Sequence, residues 1–460
     1  KDKEWIPDIA EVFGKEFKTH RFASEYSEKN PAADVDDLHE SLEMLKGITH
    51  NQLGLIDLNA DLDIETVTEI FIRINAKGAV LSQADFAMSK IAASEEHDGH
   101  VLRKTIDYFC HLAIAPEFYS TLADNDREFA ASPEFGRMSW LKNENDDLYD
   151  PSYTDMLRVA FTSQFDRGKL SDLVALLSGR NFVTREYEDT IAAESFAKLR
   201  TGIDAFMNET NFKRFVMILR SAGFIDASLF RSQNVINFAY VVYLVLRQQK
   251  VPPAEIEGLV RRWTVMSILT ARYSSSPESV FDLDIRRISE HGVAAHLQTI
   301  EQAELSDAFW DFGLPQNLDS SVASSPFFKL FLAAQVHDKD AGFLSEKITI
   351  QDLIEHRGDV HHLFPRNFLK KQRLKRGRYN QIANFVIMQS EINIAIGDKP
   401  PHDYFATLDQ QCAPDGEKHE GSPTYGNIKD RAKLSANLKM NCIPAIPESY
   451  TEDSYTTFLK

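Results

Sequence analysis

A chain of 460 residues with 43% hydrophobic and 26% charged residues can support two or three cores and has the balance of an ordinary globular protein. A net charge of −18 excludes a surface that is basic throughout, and Cys110, Cys412 and Cys442 are too few for a disulfide framework or a four-thiolate zinc site. The longest apolar run, 235–246, contains Asn237 and is too short to cross a bilayer, and the chain opens without an apolar leader, so a cytoplasmic protein with no membrane partner is expected.

In chain order, 64–74 carries helical apolar spacing stopped by Asn75-Ala-Lys-Gly78, and Ser82 is placed to cap a second helix running to about Ala93. Residues 96–315 are dominated by helical periodicity. Helices are expected over 153–177, ending at Ser178-Gly179, and over 196–207, 212–222, 235–249 and 254–270. Between them, 143–150 holds four acids and reads as an exposed loop. Ser274-Ser-Ser-Pro277 reads as a loop whose proline suits the first turn of the next helix. Trp263, beside Arg261 and Arg262, reads as a buried helix anchor rather than a base-stacking platform. The Ser-rich stretch from Gly313 to Pro326 is the best candidate linker, an apolar segment follows over 327–336, and 411–433 reads as a long mobile loop.

The chemistry concentrates near the C-terminus in Asp359-Val-His361-His362-Leu-Phe-Pro365, followed by Asn384-Phe-Val-Ile-Met and then Asn393. Hydrolysis of a phosphodiester needs a proton taken from water, charge neutralised at phosphorus and a stabilised leaving oxygen. One divalent cation serves the last two needs, and one neutral imidazole serves the first. If 358–362 is extended, the two imidazoles point to opposite faces, so one can bind metal while the other meets water. Phe385 to Met388 reads as a second strand, and Ser390 as the cap of a short helix that places Asn393 at its third position. Together these make a ββα unit.

Directly after the motif, Arg366, Lys370, Lys371, Arg373, Lys375, Arg376 and Arg378 occur with no acid among them. A solvated helical face is the plain explanation of such a run. Its position beside a metal-type motif favours contact with nucleic-acid phosphates, to which it would steer a polyanion that the rest of the chain repels. His20, His50 and His337 read as structural, and His356 and His402 as outer contacts of the motif.

These residues resemble the ββα-metal HNH nuclease motif, including the HNH domain of RNA-guided CRISPR nucleases with its nine-residue step between Asn384 and Asn393. The resemblance implies that His361 and Asn393 are metal ligands, His362 the general base, Asn384 a residue holding the loop by backbone hydrogen bonds, and Asp359 an auxiliary metal group. His361 stands where many members have Asp, which suits Mg²⁺ or Mn²⁺ and also admits a softer transition metal. The Cys pairs that hold a structural zinc in some HNH proteins are absent.

The wider chain is similar to the GmrSD-like restriction and anti-phage proteins. Glu69-Ile-Phe-Ile-Arg-Ile-Asn-Ala-Lys-Gly78, Leu81-Ser-Gln-Ala-Asp-Phe86, Ala271-Arg-Tyr-Ser-Ser-Ser-Pro-Glu-Ser279, Tyr379-Asn-Gln-Ile-Ala-Asn384 and Asp398-Lys-Pro-Pro-His-Asp-Tyr404 carry this likeness. It implies a mainly α fold: the C-terminal part of a ParB-like domain over 1–95, a helical domain over 96–320, and a C-terminal α+β HNH nuclease domain over 321–460. The family's Asp-Gly-Gln-Gln-Arg nucleotide motif is not found, so a nucleotide partner is expected only through a region preceding this chain. The implied activity is metal-dependent cleavage of foreign or modified phage DNA, with a homodimer as the route to double-strand cuts. A nucleic-acid-binding sensor with a dormant HNH fold, and an RNA-cleaving nuclease, are the rival expectations.

Overall fold

The computed structural model describes residues 9–52, 55, 57–59, 62, 67, 70, 81–144, 146–320, 322–356, 358–413, 423–444 and 450–460, with the Asp359 side chain excepted. The chain is mainly helical and separates into two units, Lys1–Val80 and Leu81–Lys460. In the first unit Asp34 caps the helix Val35–Gly47, accepting from the amides of Asp36 and Asp37 at 2.9 and 3.1 Å. That helix packs on Thr19–Lys29, with Thr19 hydrogen-bonded to Glu43. The expected helix over 64–74 and its Asn75–78 stop lie outside the described residues apart from Val67 and Ile70, which are helical.

The second unit opens on a reciprocal cap. Ser82 Oγ accepts from the Asp85 amide at 3.3 Å, and Asp85 accepts from the Ser82 amide at 2.7 Å, starting the helix Gln83–Ala93. Pro253, Pro277 and Pro326 each occupy the first turn of a helix, where a missing amide hydrogen costs nothing. The helix Gln233–Gln248 lies at the centre, with every residue from Val235 to Leu246 buried. Asn237 is tolerated there because both ends of its amide are satisfied, by Tyr149 Oη at 2.9 Å and Asp155 Oδ1 at 2.6 Å. Trp263 is fully buried, and its indole nitrogen donates to Tyr273 Oη at 3.1 Å, so it is an anchor. Tyr273, Arg272 and His296 all converge on the buried carboxylate of Asp284.

Four expectations are corrected. The expected helix over 153–177 is two helices, Tyr153–Phe165 and Leu170–Leu177. Asp166 turns left-handed between them (φ 54°), and Gly168 lies so close to the Pro277–His291 helix that a Cβ would sit 2.1 Å from the Asp282 amide nitrogen. The acid-rich 143–150 stretch is not a free loop: Leu148 and Tyr149 are buried, and Asp146 takes a two-pronged grip from Arg220 at 2.7 and 2.8 Å. Residues 423–430, read as part of a mobile loop, are packed, with Tyr425 and Ile428 buried and their backbone bonded to the Gln411 side chain. The helix Arg431–Met440 follows, and 414–422 lie outside the described residues. The candidate linker, 313–326, is partly helical: the helix Leu314–Leu318 follows directly on a π-helical turn at Phe309–Gly313.

Strand β1 (Asp359–His362) pairs antiparallel with β2 (Phe385–Met388), the single sheet among the described residues. Side chains alternate along a strand, so β2 divides between two apolar clusters. Phe385 and Ile387 join the large helical core, while Val386 and Met388 join a smaller core with Leu363, Phe364, Ile392 and Ile396. A largely apolar cavity of about 1400 Å³ lies between the helices Pro253–Leu269 and Pro326–Asp338 and the segment 378–385. His361, His362, Asn384 and Asn393 do not line it.

Candidate active site

The two histidines are sorted by the β1–β2 register. His361 opposes Val386 and His362 opposes Phe385, and opposed residues share a face of the sheet. His362 meets the Phe385 ring edge-to-face at 5.1 Å, on the side of the large core. His361 takes the other side, where Val386 and Met388 pack with Ile392 and Ile396. These isoleucines belong to the helix Ser390–Ile396, which carries Asn393. The helix that carries Asn393 therefore packs on the His361 side of the hairpin. Gln389 rather than Ser390 is the cap residue, which makes Asn393 the fourth helical residue instead of the expected third.

The chain after His362 turns a corner that is fully tied. The Leu363 amide donates to the Asn384 carbonyl at 2.8 Å, and the Leu363 carbonyl accepts from Tyr404 Oη at 2.8 Å. Asn384, fully buried, accepts from the Phe364 amide at 2.7 Å through Oδ1. It donates through Nδ2 to the carbonyls of Phe364 and Tyr379, both at 3.2 Å. Asn384 thus joins the strand carrying the histidines to the segment that precedes β2.

His362 is half-buried, and its Nε2 lies 2.8 Å from Asn380 Oδ1. Burial draws the imidazole below its ordinary pKa, the Asn380 bond opposes this, and the Arg366 charge adds to the lowering. The net shift is downward, so the ring is neutral at neutral pH, the state a general base requires.

Arg366, Lys370, Lys371, Arg373, Lys375, Arg376 and Arg378 are all exposed. They run along the short helices Arg366–Lys371 and Arg376–Tyr379 and the turn between them. Lys371 reaches Asp398 at 3.3 Å, and Arg378 donates to Thr456 at 2.7 Å. This patch leads away from the same corner as His362. His356 is exposed and bonded to its own helix, and His402 pairs with Asp403 at 3.1 Å.

The donor chemistry fits a divalent cation. The Asn393 side chain makes no hydrogen bond among the described residues, which leaves its carbonyl oxygen able to ligate, and its helix packs on the side of the hairpin where His361, a nitrogen-bearing side chain, lies. Asp359 pairs with Met388 through its backbone, but its expected auxiliary role rests on a side chain outside the described ones. Among the described residues no three His, Cys, Asp or Glu side chains are grouped so as to hold a metal ion.

Asn380 and Tyr404 escaped the sequence reading. Asn380 had one weak signal, a short polar side chain ending a helical turn; Tyr404 had none, since its partner lies 41 residues away. No family model matches the chain, and neither a curated protein nor a solved structure matches it. Among the described residues no helix is long and apolar enough to cross a membrane.

Proposed function

We propose that this chain is a metal-dependent endonuclease of the HNH type that hydrolyses DNA phosphodiester bonds, within a C-terminal α+β domain built on the β1–β2 hairpin and the helix Ser390–Ile396. The observation that carries the reading is the sorting of the two imidazoles by the hairpin: His362 on one face with its ring hydrogen-bonded, His361 on the other, where the helix bearing Asn393 packs. The exposed basic run begins four residues after His362.

In this reading His362 takes a proton from the attacking water, its imidazole held neutral by burial. Asn384 keeps the Leu363–364 corner rigid, so the imidazole does not drift from the attack line. A divalent cation such as Mg²⁺ or Mn²⁺, held by His361 and Asn393 with Asp359 as an added carboxylate, would neutralise charge on the scissile phosphate and the departing 3′ oxygen. Arg366, Lys370, Lys371, Arg373, Lys375, Arg376 and Arg378 grip the nucleic-acid backbone without reading its sequence.

The likeness to restriction and anti-phage proteins supports foreign or modified phage DNA as substrate, in the cytoplasm. One such site per chain calls for two copies to sever both strands, and a homodimer belongs to this proposal. The test is plasmid DNA incubated with the protein and Mg²⁺ or Mn²⁺, beside His362→Ala. Cleavage by wild type that is lost in His362→Ala is the expected outcome. Equal cleavage by both proteins sinks the assignment of the base, and salt-sensitive binding without cleavage under either metal favours a dormant sensor. A parallel RNA digest decides the sugar.

A further inference from the structure

We propose that Asn380 is a positioning residue that locks His362 in the tautomer carrying its proton on Nε2, leaving Nδ1 as the working nitrogen. The functional half of this proposal rests on the nuclease reading; the structural half does not.

The contact is short and direct. His362 Nε2 lies 2.8 Å from Asn380 Oδ1, and an amide oxygen can only accept, so Nε2 must donate. A neutral imidazole has one proton, and committing it to Nε2 leaves the lone pair on Nδ1. Nδ1 is not sealed in the interior: it is not among the buried side-chain atoms that lack a partner, and it makes no hydrogen bond among the described residues. One nitrogen is therefore held by the protein and the other is left open, as a base that must meet a water requires.

Asn380 is itself held from both sides. Its amide donates to the Arg376 carbonyl at 3.1 Å, closing the turn Arg376–Tyr379. The carbonyl just before it, on Tyr379, accepts from Asn384 Nδ2 at 3.2 Å, and two residues later the Ile382 amide donates to Ser320 at 2.8 Å. Asn384 ties the corner after His362 with its other bonds, so one buried amide fixes the spacing between the imidazole and its acceptor. The same short turn carries Arg376 and Arg378, which puts the proposed phosphate grip and the orientation of the base on one piece of chain.

The experiment is ¹⁵N NMR of the metal-free protein with ¹⁵N-labelled histidine, at a pH where the ring is neutral, with the His362 signals assigned by their loss in His362→Gln. The expected wild-type result is a protonated Nε2 and an unprotonated Nδ1. Asn380→Ala should move the two nitrogen shifts toward each other as the tautomers mix, and Asn380→Asp, which keeps an acceptor oxygen, should restore the wild-type pattern. A proton on Nδ1 in wild type, or an unchanged pattern in Asn380→Ala, overturns the proposal, and neither result depends on cleavage. In the plasmid assay Asn380→Ala should lower kcat about ten- to a hundredfold with KM nearly unchanged, the scale at which partners that orient a working imidazole act. If Asn380→Ala keeps wild-type kcat while its tautomers mix, the positioning role falls and the nuclease reading stands. If wild type cuts nothing, the nuclease reading falls, and the NMR result still decides whether Asn380 sets the tautomer.

Discussion

Asn384 and Phe364 exchange two hydrogen bonds, side-chain amide against backbone peptide, at 2.7 and 3.2 Å in a fully buried setting. No other side chain of similar size both donates and accepts in that plane. Asn384→Ala should cost roughly 1–3 kcal/mol for each backbone group left unsatisfied. Asn384→Asp should be nearly as damaging, because a carboxylate cannot donate to the carbonyls of Phe364 and Tyr379. Urea unfolding gives the size of the loss, and faster amide exchange at Leu363 and Phe364 locates it. Wild-type stability in both variants would show that the corner is held by packing alone.

Asp284 receives Arg272, Tyr273 and His296 in the helical core. Burial alone would raise its carboxyl pKa, but the bonds from Arg272, His296 and Tyr273 outweigh it and hold the group below its ordinary value. A depressed folded-state pKa contributes stability that is present above the unfolded value and is lost as pH falls through the folded one. Asp284→Ala leaves the Arg272 guanidinium buried without this partner and should destabilise by about 3–5 kcal/mol. The variant should also show a flatter decline of Tm on acidification than wild type. A parallel decline in the two proteins would contradict the linkage.

Asp150 works in the opposite direction. Burial first, then the charges of Asp147 and Asp146, raise its carboxyl to about 6. The folded protein therefore holds a proton on this group over the interval from the ordinary Asp value of ~3.9 to about 6. Stability from this group is full below that interval and declines as pH rises through it. Asp150→Asn should raise Tm at pH ~7.5 and leave it nearly unchanged at pH ~4, where both proteins are neutral at this position. Equal gains at both pH values would remove charge as the cause.

Lys375 and Arg376 are exposed and lie in the basic run. If they contact phosphates, each replacement by Ala should reduce the slope of log affinity against log salt by about 0.9. Fluorescence anisotropy of a labelled duplex across a KCl series measures it. An unchanged slope in the double variant would place the DNA elsewhere.

The parts of this molecule legible in the sequence are those set by neighbours. The Ser82 cap has its partner three residues on, and Pro277 acts on its own backbone, so both helix starts could be read directly. The two strands of the hairpin follow from short β-type runs, and the histidines and asparagines lie in one stretch. What escaped depends on partners far along the chain. Periodicity runs unbroken through 153–177, and only the approach of Gly168 to Asp282, 114 residues later, shows why the helix breaks. The acids of 143–150 suggested water, yet Asp146 is matched to Arg220. Gln411 reaches forward to hold 425–428, a stretch whose polarity and glycine spoke for mobility. The Asn380 bond to His362 belongs to the same class, since nothing local marks one amide among several as the acceptor for an imidazole.

Strand β2 gives alternate side chains to two cores, with Phe385 against Phe328 at 5.7 Å on one side and Val386 among the smaller cluster on the other. A four-residue strand cannot leave one core and remain in the other. The helical region and the hairpin should therefore melt in a single cooperative transition despite having separate apolar interiors. A fragment cut to 321–460 would bare the face of the helix Pro326–Asp338 that packs on the helix Pro253–Leu269, and would aggregate rather than behave as an independent domain.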